Sequence, residues 1–162
     1  MDFLALSPLE RQYEVEQLLA RYVHCIDDDR LEAWPEFFTR RCDYRIVARE
    51  NAERGLPLAT IACDSRGMLE DRVVSLRNAN IYGWHRYRHL VGSVLLLEVH
   101  AEEIVARSHY AVFRTRGEGV GETYSVGTYD DRIVFDEGQL RFRAKLVTYD
   151  THRIDSLLAT PL

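Results

Sequence analysis

The chain has 162 residues, of which 46% are hydrophobic and 29% are charged, and its formal net charge is −5 at pH 7. This length and composition fit one globular domain, so we expect a single domain over residues 1–162 and neither a disordered nor a fibrous protein. The negative charge disfavours nucleic acid and anionic membranes as partners, since both bind basic surfaces. No segment has the roughly 18 apolar residues that cross a bilayer, and the start lacks the pattern of a signal peptide, so we expect a cytoplasmic protein.

Three cysteines, Cys25, Cys42 and Cys63, stand at wide spacings without a Cys-x-x-Cys pair. An odd number in this pattern argues against a disulfide scaffold and against a four-thiolate metal site. We expect them to be free thiols in or near the core.

The first predicted element is a helix that begins after Ser7. Ser7 can cap it, Pro8 suits the first helical position, and Glu10 can reach back to complete a capping box. Apolar residues then recur with helical spacing along one face: Val15, Leu18, Leu19, Tyr22, Val23 and Ile26. After the acidic run 27–29, residues 31–38 are predicted to form a short aromatic helical segment.

The middle of the chain is predicted to hold a strand and another helix. Apolar and polar residues alternate over residues 44–48 as they do in a strand, and a polar stretch follows over residues 49–55. The next helix is expected to begin at Asp64 or Ser65. Its apolar face would carry Leu69, Val73 and Leu76.

From residue 88 onward the hydrophobic period changes to two. Segments 88–99, 104–116, 122–135 and 140–149 are predicted to form consecutive antiparallel strands, the last two joined by a hairpin at Asp136-Glu137-Gly138. In the last strand, alternation places Leu140, Phe142, Ala144 and Leu146 on one face. The opposite face would carry Arg141, Arg143 and Lys145 and be solvated or form a subunit contact. Helices first and strands last predict an α+β fold and exclude a doubly wound nucleotide-binding fold.

Motifs that carry chemistry are scarce. His85 and His89 have the i, i+4 spacing of a helical metal pair, but they lack the glutamate of HExxH and lie at the start of a predicted strand. No cysteine has a histidine two or three residues later, so the sequence lacks the ligand pairs of a Rieske cluster. It also lacks a GxSxG motif and a phosphate-binding glycine loop. We therefore expect no metal and no other cofactor in this chain.

One set of residues could form a catalytic site. Asp27 ends the apolar stripe of the first helix, and a carboxylate pushed toward the core there could serve as a base. Tyr22 and His89 could join it in a pocket. The alternative is that residues 27–29 form a solvated turn and that His89 is a hydrogen-bonded core histidine, in which case the chain has no catalytic residue. We adopt this second interpretation.

Four segments carry a family resemblance across the chain. They are CIDDDRLEAWPEFF (25–38), SRGMLEDRV (65–73), YRHLV (87–91) and YDTHRI (149–154). In their order and spacing they resemble the small (beta) subunit of bacterial aromatic-ring-hydroxylating dioxygenases, particularly of the salicylate hydroxylase and anthranilate dioxygenase type.

The resemblance implies a nuclear-transport-factor-2-like cone, in which a strongly curved, mixed and mostly antiparallel sheet encloses the N-terminal helices. It also implies a structural role beside a catalytic alpha subunit, which holds the Rieske [2Fe-2S] cluster and the mononuclear iron. The assembly would resemble α3β3, with beta subunits also contacting each other, and would degrade aromatic compounds of the aromatic-acid class. Candidates for the subunit interface lie after the last strand: His152, Arg153, Ile154, Leu157 and Leu158.

A second hypothesis is a stand-alone dehydratase, isomerase or hydrolase on the same fold. Asp27 would then be the general base, and Tyr22 and His89 would donate hydrogen bonds to a developing oxyanion. This hypothesis depends on analogy between folds.

Overall fold

A six-stranded sheet frames the molecule in the computed structural model, which describes residues 2–56, 58–78, 84–150 and 160–162. The strands in chain order are β1 Phe38–Ala48, β2 Ile61–Ser65, β3 His85–Val99, β4 Glu103–Arg116, β5 Gly121–Asp136 and β6 Gln139–Tyr149. They lie in the order β2-β1-β6-β5-β4-β3, and each pair of neighbours is antiparallel except β1 and β6, which are parallel. The predicted α+β fold with a mixed, mostly antiparallel sheet is therefore confirmed.

The helices are α1 Pro8–Asp27, α2 Arg49–Glu53 and α3 Arg66–Asn78, with 3-10 helices at Phe3–Ala5 and Leu31–Phe37. The start of α1 is as predicted, because the Ser7 hydroxyl accepts from the Glu10 N–H at 3.3 Å and the Glu10 carboxylate accepts from the Ser7 N–H at 2.7 Å. The start of α3 comes slightly later than predicted because β2 runs through Ser65. Within the described part of the chain, no helix is long and apolar enough to cross a membrane.

The core lies between α1 and the inner face of the sheet. The buried residues of α1 include the whole predicted stripe, from Val15 to Ile26. The 3-10 helix adds Trp34, whose ring meets those of Phe38 and Tyr44 edge-on at centroid distances of 5.7 and 5.3 Å. Burying each such side chain stabilises the fold by roughly 1.5–3 kcal/mol, so α1 and the 3-10 helix are firmly held against the sheet.

The predicted faces of β6 are wrong for Arg141, which is buried and bonded to Asp136 and Glu137, and wrong again beyond Phe142. Phe142 is buried as expected, but Lys145 is also fully buried. The cause is a bulge: Ile133 of β5 lies opposite Phe142, whereas the preceding Arg132 lies opposite Ala144. The additional residue, Arg143, reverses the alternation after it and turns Lys145 toward the core.

The predicted hairpin between β5 and β6 is present. Glu137 and Gly138 connect the strands with positive φ angles of 51° and 79°, as a two-residue hairpin with right-handed strand twist requires. Farther along the same strand pair, a Cβ atom at Gly127 would overlap the Thr148 carbonyl. Only glycine allows this close approach of the two backbones.

Residues 160–162 lie against the core. Leu162 is fully buried. Its main-chain oxygen accepts hydrogen bonds from the Tyr22 hydroxyl at 2.8 Å and the Tyr44 hydroxyl at 3.2 Å, and its N–H lies 3.2 Å from the same Tyr44 oxygen. This short segment thus links α1 and β1 through two tyrosines.

Candidate functional site

Asp27 and His89 form a buried pair where α1 ends beside β3. The Asp27 side chain is 3% exposed and the His89 side chain is 0% exposed. One Asp27 carboxylate oxygen lies 2.6 Å from His89 Nδ1, and the other accepts from the His89 backbone N–H at 2.9 Å. The prediction of a solvated turn is therefore wrong for Asp27. It holds for Asp28 and Asp29, which are exposed.

The hydrogen bonding of this pair determines which histidine nitrogen remains open. Because an ionised carboxylate can only accept, Nδ1 donates to Asp27, and Nε2 lies on the other side of the ring. His89 Nε2 is buried and has no hydrogen-bond partner among the described residues. His89 is thus a core histidine, as predicted, but only half of its hydrogen-bonding capacity is used.

Tyr22 does not join the pair. Its hydroxyl donates to the main-chain oxygen of Leu162, and its ring packs edge-on against Phe37 and Phe142 at centroid distances of 5.8 and 5.4 Å. Burial raises the pKa of the Tyr22 phenol well above 10.0. The structure therefore brings together two of the three residues of the predicted constellation, Asp27 and His89.

A cavity of about 610 Å³ opens beside Asp27. We call it the mouth cavity and define it by its described lining: Ile26, Asp27, Asp28, Asp29, Leu76, Arg77, Trp84, His85, Arg86, Tyr87, Arg88 and Thr160. Arg77 fixes one wall, because its guanidinium bonds both carboxylate oxygens of Asp29 at 2.9 Å and one Glu32 oxygen at 2.7 Å. Arg88 lies 3.9 Å from the Asp27 carboxylate.

A second buried acid–base pair was missed in the sequence. Lys145 Nζ lies 3.1 and 3.2 Å from the two carboxylate oxygens of Asp131, and both side chains are almost completely buried. Burial raises the pKa of Asp131 and lowers that of Lys145, while the opposite charge of each partner counteracts the shift. No sequence signal marks this pair, because the bulge at Arg143 conceals the inward orientation of Lys145.

Metal-binding geometry can be examined only for the part of the chain that the structure describes. There, no group of three or more His, Cys, Asp or Glu side chains could hold a metal ion. His85 and His89 both lie on β3, so their i, i+4 spacing is not helical. Cys25, Cys42 and Cys63 are buried free thiols, as predicted.

The predicted interface residues cannot be placed. His152, Arg153, Ile154, Leu157 and Leu158 all lie outside the described residues. Their role stays a prediction from the sequence.

Comparison with known proteins shows close relatives along nearly the whole chain. It is 46% identical over 150 residues to the anthranilate 1,2-dioxygenase small subunit of Burkholderia cepacia, with 93% of each protein covered. It is 34% identical to the terephthalate 1,2-dioxygenase terminal oxygenase component subunit beta 1 of a Comamonas species, over 93% of this chain and 98% of that protein.

Solved structures agree with these relatives. The beta subunit of an aromatic-ring-hydroxylating dioxygenase from Novosphingobium aromaticivorans superimposes with a TM-score of 0.88 at 44% identity, covering 95% of this chain and 98% of that one. The benzoate 1,2-dioxygenase beta subunit of Burkholderia mallei shares the fold, with a TM-score of 0.71 at 17% identity over 84% and 88% of the two chains. The family model described as "Ring hydroxylating beta subunit" matches residues 21–156. The chain therefore belongs to the ring-hydroxylating beta subunit family, the small subunits of aromatic-ring-hydroxylating dioxygenases.

Proposed function

We propose that this chain is a non-catalytic, single-domain subunit that supports the catalytic alpha subunit of a dioxygenase acting on an aromatic acid. The alpha subunit would hold the Rieske cluster and the mononuclear iron, and the two chains would assemble as α3β3 in the cytoplasm. The observation that carries the proposal is the 46% identity to an anthranilate dioxygenase small subunit over 93% of both proteins. Identity at this level along the whole chain supports a shared role, which a shared fold alone does not.

The surface of β3 and β4 supports a role in assembly. Large apolar side chains are exposed there: Leu90, Leu95, Leu97 and Phe113. Because β3 is an edge strand of the sheet, these side chains lie where a partner could cover them. An exposed apolar patch of this kind is typical of a protein–protein contact.

The geometry around Asp27 gives no support to a stand-alone enzyme. Both carboxylate oxygens of Asp27 are already bonded by His89, and the Tyr22 hydroxyl is bonded to Leu162. A general base needs to reach the proton that it removes, and a donor to an oxyanion must be available to it. The buried pair is better explained as a contact that fastens α1 to β3.

Production of the chain with and without a candidate alpha subunit tests the proposal. We expect the two chains to copurify as a complex whose measured mass matches α3β3, and we expect oxygen uptake with an aromatic acid only from the complex. The Asp27→Asn variant should still assemble and leave turnover by the complex largely intact. Turnover by the isolated chain, or failure to bind any alpha subunit, would contradict the proposal.

Surface variants test which regions form the contact. Leu95→Lys and Leu97→Lys should weaken assembly while leaving the circular dichroism of the isolated chain unchanged. Leu9→Lys is the matched control, because Leu9 is exposed at the start of α1. Ile154→Asp and Leu157→Asp test the interface predicted from the sequence, and normal assembly of both variants would remove that segment from the proposal.

A further inference from the structure

We propose that three copies of this chain join head to tail in a closed ring, in which an apolar patch on the outside of the sheet of one copy packs into a groove beside α1 of the next copy. The inference rests on the proposed α3β3 assembly, which gives the number of copies, and it adds the two surfaces that meet. Around a threefold axis each contact joins two different surfaces of the chain, because a surface that pairs with itself closes a dimer. The chain must therefore carry two complementary surfaces.

The first surface lies on the solvent face of β3 and β4. We call it the outer patch and define it as Leu90, Leu95 and Phe113, all of which are large, apolar and exposed. Leu95 lies opposite Arg107 in the strand ladder. Phe113 lies opposite Arg88. Both arginine side chains are more than half exposed, so the outer patch combines apolar area with positive charge.

The second surface is a cavity of about 920 Å³ between α1, the 3-10 helix at Leu31–Phe37 and the β5–β6 hairpin. We call it the helix groove. Its apolar lining consists of Leu6, Leu18, Ala33, Phe37, Phe135 and Leu140. Four of these six residues are only half-buried, so the groove still has apolar area that a partner can cover. A groove of this volume has room for several side chains of a neighbouring molecule.

Charged side chains also line the helix groove. Glu14 on α1 and Glu36 on the 3-10 helix place a carboxylate on each of two walls. Arg21, His24 and Arg30 lie there too, but the charge of Arg30 is offset by Asp28 at 3.5 Å. Residues 1–37, which form both helices, hold nine Asp and Glu against three Arg. The region around the groove is therefore acidic.

The opposite charges of the two surfaces indicate a second copy as the occupant of the groove. Strands β3 and β4 hold five Arg against two Glu, so the outer patch is basic where the groove region is acidic. Complementary charge favours this pairing and disfavours contact of the outer patch with itself, because the latter would bring arginines together. The apolar side chains supply the area that is removed from water in the contact.

The mass of the isolated chain, measured by sedimentation equilibrium without an alpha subunit, gives the first test. We expect particles of three chains. Particles of one chain at every concentration, or of two, would overturn the inference. A ring that binds no alpha subunit would contradict the proposed function and leave the inference standing, whereas a chain that binds an alpha subunit but stays monomeric alone would overturn the inference only.

Two variants that each destroy one surface test the head-to-tail contact. Leu90→Glu/Leu95→Glu places negative charge on the outer patch. Ala20→Arg fills the helix groove from α1, where arginine is nearly as compatible with a helix as alanine. Each variant alone should be monomeric. An equal mixture should form particles of two chains, because one intact patch meets one intact groove and no third copy can be added.

Other arrangements give different results in the same experiment. If the outer patch paired with itself, or if the groove received a segment of the alpha subunit, Ala20→Arg alone would still form particles of the normal mass. The mixture would then contain no particles of two chains that join one copy of each variant. Either result, with both variants folded by circular dichroism, would overturn the inference.

A substitution outside both surfaces is the matched control. Val74 on α3 is 59% exposed, as is Leu95, and it belongs to neither the outer patch nor the helix groove. Val74→Glu should leave three chains per particle, and dissociation equal to that of the patch variant would overturn the inference. If a charged variant does not fold, Leu90→Ser/Leu95→Ser and Ala20→Gln repeat the comparison and should shift the mass in the same direction.

Discussion

Two buried acid–base pairs among the described residues, Asp131–Lys145 and Asp27–His89, differ in how completely their hydrogen bonds are satisfied. Lys145 is bonded to both oxygens of Asp131, and its ammonium lies over the rings of Tyr22, Tyr129 and Phe142 at 4.7, 3.6 and 4.5 Å. In the other pair, His89 uses Nδ1, and its Nε2 has no hydrogen-bond partner within the part of the chain that the structure describes. Every buried polar atom of the first pair thus has a partner, whereas the second pair leaves one buried ring nitrogen without a partner among the described residues.

The difference shows that burial of charge is a poor guide to function by itself. Lys145 and Asp131 are the more deeply buried pair, yet each already has the other as its hydrogen-bond partner. This pair joins strands β5 and β6, on which Asp131 and Lys145 lie opposite each other. A buried ring nitrogen without a partner among the described residues, as in His89, is the feature that would distinguish a site from a structural contact.

Removal of one member of the buried Asp131–Lys145 pair should have the largest effect on stability. Lys145→Met preserves the length of the side chain but leaves Asp131 buried without its partner, so we expect a loss of about 3–5 kcal/mol in the free energy of unfolding. Urea denaturation measures it. The double variant Asp131→Leu/Lys145→Met should recover most of the loss, because no uncompensated charge remains. A loss below about 1 kcal/mol in the single variant would show that the pair is not closed as described.

Weakening the Asp27–His89 pair should reduce the free energy of unfolding by less than breaking the Asp131–Lys145 pair does. In Asp27→Asn one of the two His89 N–H groups keeps an amide oxygen as acceptor and the other faces the amide NH2 group, which is itself a donor. We expect about 1.5–3 kcal/mol of destabilisation by the same measurement. Asp28→Asn is the control, since Asp28 is exposed and its replacement should change stability by no more than about 0.5 kcal/mol. If the two variants behaved alike, Asp27 would not fasten α1 to β3.

Alkaline pH should lower the free energy of unfolding through two buried phenols, those of Tyr22 and Tyr87. Burial raises the pKa of Tyr22, whose ring lies beside Lys145, and of Tyr87, whose ring packs against His89, above 10.0. Above that pH the unfolded chain releases these protons first, so the stability they contribute is intact below about pH 10 and falls by about 1.4 kcal/mol per pH unit for each phenol.

Urea denaturation between about pH 9 and pH 11 measures this slope. Tyr22→Phe and Tyr87→Phe should each reduce this slope by the contribution of one phenol, about 1.4 kcal/mol per pH unit. If neither substitution changed the slope, the two phenols would ionise at the same pH in the folded chain as in the unfolded chain.

The smallest effect is expected at the outer wall of the mouth cavity. Arg77 bonds Asp29 and Glu32, and all three side chains are at least one-third exposed. Because solvent screens such pairs, Arg77→Ala should cost roughly 0.2–1 kcal/mol for each of them. High salt should reduce the difference between Arg77→Ala and the unaltered chain, and a difference that salt leaves unchanged would indicate a packing role instead.

Local signals in the sequence account for most of the correctly predicted structure. The Ser7–Glu10 capping box and the apolar stripe fix α1, since both depend only on residues a few positions apart. The period of two over residues 88–149 fixes the strands, and Glu137-Gly138 fixes the hairpin between β5 and β6.

The features that sequence patterns missed depend on distant parts of the chain. A single bulge at Arg143 reverses every later side chain of β6, and alternation cannot show it because the extra residue is defined by the partner strand. The pairing of Asp27 with His89 requires the end of α1 to meet β3, so the two residues could be proposed together but not placed. The contact of Leu162 with Tyr22 and Tyr44 has no sequence pattern at all.

The parallel pairing of β1 with β6 has a consequence for biosynthesis. β1 lies early in the chain and its neighbour on one side is the last strand of the sheet, so the ladder cannot close until nearly the whole polypeptide has left the ribosome. Long-range strand pairing of this kind folds slowly and leaves apolar strands uncovered in the meantime. We expect prematurely terminated chains to stay unfolded and to be removed by proteolysis, so that only completed polypeptides are available for assembly.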